Sequence, residues 1–177
     1  MIASVKRGIR PQIDGVILID CWDYSMYPIH EIKDRELKIF YQNLVDHLKQ
    51  FNIQYVVNAM TNRDINQVDS YLDQELVSHL PNCTIDTWHE FETCLTDTLN
   101  GSVTQWYMAG QAWKLCIHHN DIGLKRIARE THSGFDFYAD QLSFRNETNN
   151  LIEHQDFVED ENSWEYLKSF GYRLIQH

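Results

Sequence analysis

Short strand-like runs at Val16–Ile19, Ile53–Met60, Cys83–Thr87 and Val103–Gly110 alternate along this chain with segments of helical spacing. Strands separated by helices cannot pair as hairpins, so the alternation predicts a parallel sheet with right-handed crossovers and helices on its faces. Leu37, Phe40, Tyr41, Leu44, Val45 and Leu48 follow the i, i+3, i+4, i+7 spacing of an amphipathic helix that Asn52 ends. TNRDIN turns the chain after the second strand, and a weaker helix spans Gln67 to His79 before Pro81 and Asn82 stop it. A helix over Glu90–Leu99 and an NGS turn lead into the run at Val103.

That run, VTQWYMAG, ends at Gly110, and GQAWKLC places a cysteine six positions later, so the stretch reads as strand, tight turn and helix with a thiol in the first helical turn. First-turn amides have no intrahelical partner and carry partial positive charge, which favours a thiolate or an oxyanion beside them. The helix is expected to continue from Cys116 to Glu130, with Trp113, Ile117, Leu124 and Ala128 near one face. Phe135–Phe144 reads as a further strand, Asn146–Asn162 as a polar surface excursion or subunit contact, and Ser163–Phe170 as a final helix. Gly171 caps that helix, and Tyr172–Ile175 forms a last strand.

With 177 residues, about two-fifths of them apolar, the chain fits one well-buried domain, residues 1–177. A formal charge of −11 and a pI near 5.1 argue against nucleic acid, whose phosphates call for clustered Lys and Arg. No run approaches the ~20 apolar residues that span a bilayer, and the first residues lack the apolar centre of a signal peptide, so a cytoplasmic protein with no membrane partner is expected. Cys21, Cys83, Cys94 and Cys116 show no paired CxxC spacing, so neither a zinc ribbon nor a disulfide scaffold is predicted, and reduced thiols are the simplest reading.

The first strand stops at Asp20, and open α/β sheets place their sites at the C-terminal ends of strands. An acid ending the first strand and a cysteine opening a later helix resemble the isochorismatase-like cysteine hydrolases. The resemblance runs from GVILID through IQYVVNAMTN and WYMAGQAWKLCI to the final helix, and it implies a three-layer Rossmann-like fold with a mainly parallel sheet. It also implies Cys116 as nucleophile toward a carbonyl or amide carbon and Asp20 as the group that manages the proton. The oxyanion would rest on the backbone N–H groups of Ala112 and Cys116.

Three departures bear on activity. The family draws a lysine from the end of its third strand, and this chain has none between Lys49 and Lys114; CTIDTWHEF offers His89, a conditional cation of shorter reach. Where the family reads Asp-x-Gln-x-Asp the chain reads DCWDY, with Trp22 in place of the glutamine. NAMTNRDIN lacks the Asp-x-His pattern of metal-bearing members, so no metal and no cofactor are expected.

Each candidate has a plainer reading. Cys116 can be inert packing, Asp20 a loop cap, and His89 an ordinary surface histidine, while Trp22 and Trp113 line a pocket or only add core mass. A catalytically degenerate member keeping a small-molecule pocket is the favoured expectation, and an active cysteine hydrolase of small amides or related C–N bonds is the alternative. A haloacid dehalogenase-like phosphatase, with Asp20 as nucleophile, is weaker because Asp20 and Asp23 are separated by two residues rather than one. A homo-oligomer is expected from the resemblance.

Overall fold

The computed structural model describes residues 11–23, 31–60, 62–64, 67–98, 102–110, 122–130, 134–140, 142–144, 146–147, 151–152 and 167–175. Its centre is β1, Gly15–Ile19, buried along its whole length. β2, Tyr55–Ala59, lies on one side of it and β4, Gln105–Gly110, on the other, both parallel. β3, Asn82–Ile85, extends the sheet beyond β2; β5, Asp136–Ala139, and β8, Arg173–Leu174, extend it beyond β4. The order is β3-β2-β1-β4-β5-β8, with every pairing parallel. A strand covered on both faces has no polar alternation, which is why GVILI reads as a continuous apolar run.

Helix α1, Glu31–Leu48, lays Leu37, Phe40, Tyr41, Leu44, Val45 and Leu48 against Val16, Leu18, Val56, Tyr107 and Ala109. The other face buries Ile17, Ile19, Val57, Trp106 and Met108 under Phe91, Leu95, Leu124, Ile127 and Leu167. These are the three layers that the alternation predicts. Each fully buried aliphatic of β1 contributes roughly 1.5–3 kcal/mol, so the central strand is a main source of stability.

Several boundaries differ from the sequence reading. α1 begins six residues before Leu37, because its polar start carries no apolar stripe to reveal it. The helix expected over Gln67–His79 is α2, Ser70–Glu75, followed by a 3-10 turn at Val77–His79; Asp69 sets its start by accepting from the amides of Tyr71 and Leu72. α3, Trp88–Thr93, runs into a π segment, Cys94–Thr98, and β3 stops before Thr87 because that residue caps α3. Among the described residues α4 covers Leu124–Glu130, with Ile122 and Gly123 in a turn ahead of it; the expected start at Cys116 lies outside the described residues. β5 is shorter than Phe135–Phe144 because Asp140 folds into a turn, its carboxylate accepting from the Leu142 amide at 2.9 Å and its own amide donating to Ser143 Oγ at 2.8 Å. Within the polar excursion, β6, Asn146–Glu147, and β7, Leu151–Ile152, form a small antiparallel pair.

The cysteines also require a correction. Cys83 on β3 and Cys94 after α3 form a disulfide with Cα atoms 7.1 Å apart, whereas spacing predicted reduced thiols. The pairing arises from packing the edge strand against the helix that follows it, a tertiary contact that no CxxC spacing announces.

Candidate functional site

The chain passes from β1 to β2 and β3 on one side and returns to β4 on the other, so the sheet reverses direction between β1 and β4. Loops leaving two strands at such a point diverge to opposite faces and open a crevice at the carboxyl ends. In register, Ile19 of β1 stands beside Gly110 of β4, so Asp20 and the chain leaving Gly110 flank that crevice.

Asp20 follows β1 with φ of 50°, a left-handed conformation tolerated best by Gly, Asn and Asp. Its amide donates to Ala59 O at 2.8 Å, and the Met60 amide donates to Ile85 O at 2.8 Å, so the ends of β1, β2 and β3 lie side by side. The Asp20 residue is 1 % exposed, and its Oδ1 accepts from the indole Nε1 of Trp22 at 3.2 Å. Trp22 is in turn fixed: its carbonyl accepts from the Tyr41 hydroxyl, and it bridges Val68 in an antiparallel contact. The Asp69 amide donates to Cys21 O and the Asp23 amide to Gln67 O, on either side of that bridge. A tryptophan read only as a wall therefore also orients the carboxylate.

Cys21, next in sequence, is buried, and burial together with the Asp20 and Asp69 carboxylates pushes its thiol well above the ordinary value. It remains a protonated thiol and is no nucleophile.

At the end of β3, Thr87 and Glu90 form a reciprocal capping box that starts α3, and His89 stands exposed in the first turn of that helix. Among the described residues, the cation placed against the strand end is Arg63, from the turn after β2. Its Nη1 lies 2.8 Å from Glu90 and donates to Thr84 O at 3.3 Å, and its Nε lies 3.7 Å from Asp86. Glu90 is held below its ordinary value, first by the Asp86 amide and then, against the opposing effect of burial, by Arg63. The sequence signal for this arrangement is the capping pattern Thr87-x-x-Glu90 followed back to the only arginine of NRD; neither alone specifies the contact.

At the end of β4, a Cβ on Gly110 would meet Ile19 O at 2.4 Å, so only glycine lets β4 approach β1 there. Cys116, Ala112 and Trp113, the expected nucleophile, oxyanion donors and wall, lie outside the described residues. Among the described residues no group of three His, Cys, Asp or Glu side chains is arranged to hold a metal ion, and no helix is long and apolar enough to cross a membrane.

No protein-family model matches the sequence, and no curated protein matches it. Solved structures do match in fold. The YcaC gene product of Escherichia coli, an octameric hydrolase of unknown specificity, superposes with a TM-score of 0.59 at 15% identity, covering 96% of this chain and 79% of that one. The MAR1 ribonuclease of Caenorhabditis elegans gives 0.58 at 14% identity over 95% and 79%, and a nicotinamidase of Staphylococcus aureus 0.51 at 13% over 94% and 99%. The shared architecture is the three-layer α/β fold of isochorismatase-like hydrolases.

Proposed function

We propose that this protein is an isochorismatase-like pseudoenzyme, which keeps a small-molecule pocket at the β1/β4 crevice but no longer turns substrate over efficiently. Asp20 and Cys116 face the ligand in this reading, Trp22 and Trp113 line the pocket, and His89 lies at its rim. The observation that carries it is the state of the cation at the end of β3. Where the family resemblance implies a lysine that can give and take a proton, Arg63 is ion-paired with Glu90 and Asp86. A guanidinium stays protonated at any working pH and cannot relay a proton. Groups of a catalytic set act as a unit, so losing one removes orders of magnitude in rate while leaving the cavity and its polar walls.

A second reading, an active cysteine hydrolase, is favoured by the ordering of the Asp20 carboxylate through Trp22. In it Asp20 acts as base and takes the proton of the Cys116 thiol, the thiolate adds to the carbonyl carbon of a small amide, and Asp20 passes that proton to the departing amine; water then hydrolyses the thioester, releasing the acid and restoring the thiol. One experiment separates the two. A panel of small amides is assayed for ammonia or amine release, and the same compounds are screened for thermal stabilisation of wild type and Asp20→Ala. The pseudoenzyme reading predicts ligands that stabilise wild type and not Asp20→Ala, with release no faster than in Cys116→Ala. Release that depends on Cys116 selects the second reading.

We further infer a homo-oligomer. An octameric fold neighbour supports assembly, and light scattering at micromolar concentration tests it: a single monomeric mass refutes it.

A further inference from the structure

The pocket makes no use of the most buried polar cluster among the described residues. His47 on α1, Tyr107 on β4, and Asp140 and Ser143 after β5 are at most 4 % exposed. His47 Nε2 lies 2.5 Å from Asp140 Oδ2, while Oδ1 accepts from the Tyr107 hydroxyl at 2.6 Å and from the Leu142 amide at 2.9 Å. An ionised carboxylate only accepts, so Nε2 carries the hydrogen of this bond; the Gln50 amide nitrogen lies 3.4 Å from Nδ1. Burial drives the Asp140 carboxyl upward, but the bonds from His47, Tyr107 and the Leu142 amide outweigh it and hold the group below its ordinary value.

Apolar side chains of similar volume would fill such a space at least as stably, so a satisfied charged cluster there calls for a reason other than stability. Its connections supply one. Asp140 organises the turn to Phe144; in that turn Ser143 O accepts from the Gly110 amide at 2.9 Å, and Phe144 bridges Gly110. Gly110 is pressed against Ile19 on its other side. The last residue of β4 is thus clamped between β1 and the Asp140 turn, and from it the chain departs for the segment that carries Cys116.

We propose that His47 and Asp140 are positioning residues: through the 140–144 turn they fix the end of β4, and so tie helix α1 to the wall of the crevice. The proposal rests on the pocket reading for what the crevice does, and on the structure alone for the linkage.

The test reads the Gly110 amide by hydrogen exchange in wild type, His47→Leu and His47→Gln, the last because a glutamine Nε2 can take the place of the imidazole donor. His47→Leu should lower Gly110 protection by at least about tenfold, the cost of removing one donor from a buried carboxylate, while the amides of β1 and β2 keep theirs; His47→Gln should restore most of it. Unchanged Gly110 protection in His47→Leu overturns the proposal. So does an equal loss across all strands, or a failure of His47→Gln to rescue in a protein whose β1 amides stay protected. Asp140→Ala repeats the test from the other partner, should His47→Leu not fold. If Gly110 responds as expected while no ligand shows Asp20-dependent stabilisation, the linkage stands and the pocket reading falls.

Discussion

Substituting Asp20 separates its charge from its backbone. Asparagine also tolerates a positive φ, so Asp20→Asn should cost little stability, whereas Asp20→Ala adds the left-handed penalty of roughly 1–2 kcal/mol. Urea unfolding of the two variants checks this, and an Asp20→Ala no less stable than Asp20→Asn contradicts it. At Gly110 the constraint is contact, not φ. A methyl group 2.4 Å from Ile19 O must push β4 off the central strand, and Gly110→Ala should lose roughly 1–3 kcal/mol by the same measurement. Asp20 stood out because a carboxylate ends an apolar strand at the carboxyl edge of the sheet, where a site residue and a loop cap read alike. The indole bond from Trp22 was not legible, since a spacing of two residues on a loop does not specify which way either side chain turns. The contact of Arg63 with Asp86 and Glu90 was not legible either, since it joins the turn after β2 to the end of β3.

Among the elements, the strands were the readable part because their burial on both faces writes itself as apolar runs. Helix starts were less so where they depend on caps: Asp69 and the pair Thr87 and Glu90 held the information, but a capping pattern gains meaning only once the helix behind it is known. The disulfide was illegible, because it joins an edge strand to a helix whose docking angle the sequence does not state. Closing a loop of this length restricts the unfolded chain by an amount worth about 2–3 kcal/mol. Reductant should therefore lower the melting temperature of wild type and leave Cys83→Ser unaffected; identical melting of wild type with and without reductant would refute the bridge.

For the molecule as a whole, alternation dictated a parallel sheet but not that β4 returns to the far side of β1, and that return creates the crevice. The pH range of stability follows from groups on several elements. Asp140 and Glu90 have folded values below their unfolded ones, so the stability they add is present above the ordinary carboxylate range and is lost as pH falls through their depressed values. Tyr107, raised well above its ordinary value by burial and by Asp140, and Tyr55 and Tyr138, raised by burial, act at the other end. Their contribution is complete below about pH 10 and is lost as pH rises through their elevated values. Urea midpoints across pH should show both slopes, and the acid slope should shrink in Asp140→Asn; an unchanged slope there contradicts the assignment.

The central claim, a crevice that binds but does not react, is tested most directly by the pH dependence of Cys116 alkylation in the folded protein, read by mass spectrometry in wild type and Asp20→Asn. The account predicts that the rate rises with pH as for an ordinary thiol, with its midpoint at the ordinary thiol value, and is the same in both proteins. A midpoint well below that value which moves when Asp20 loses its charge would reveal a poised nucleophile and contradict it.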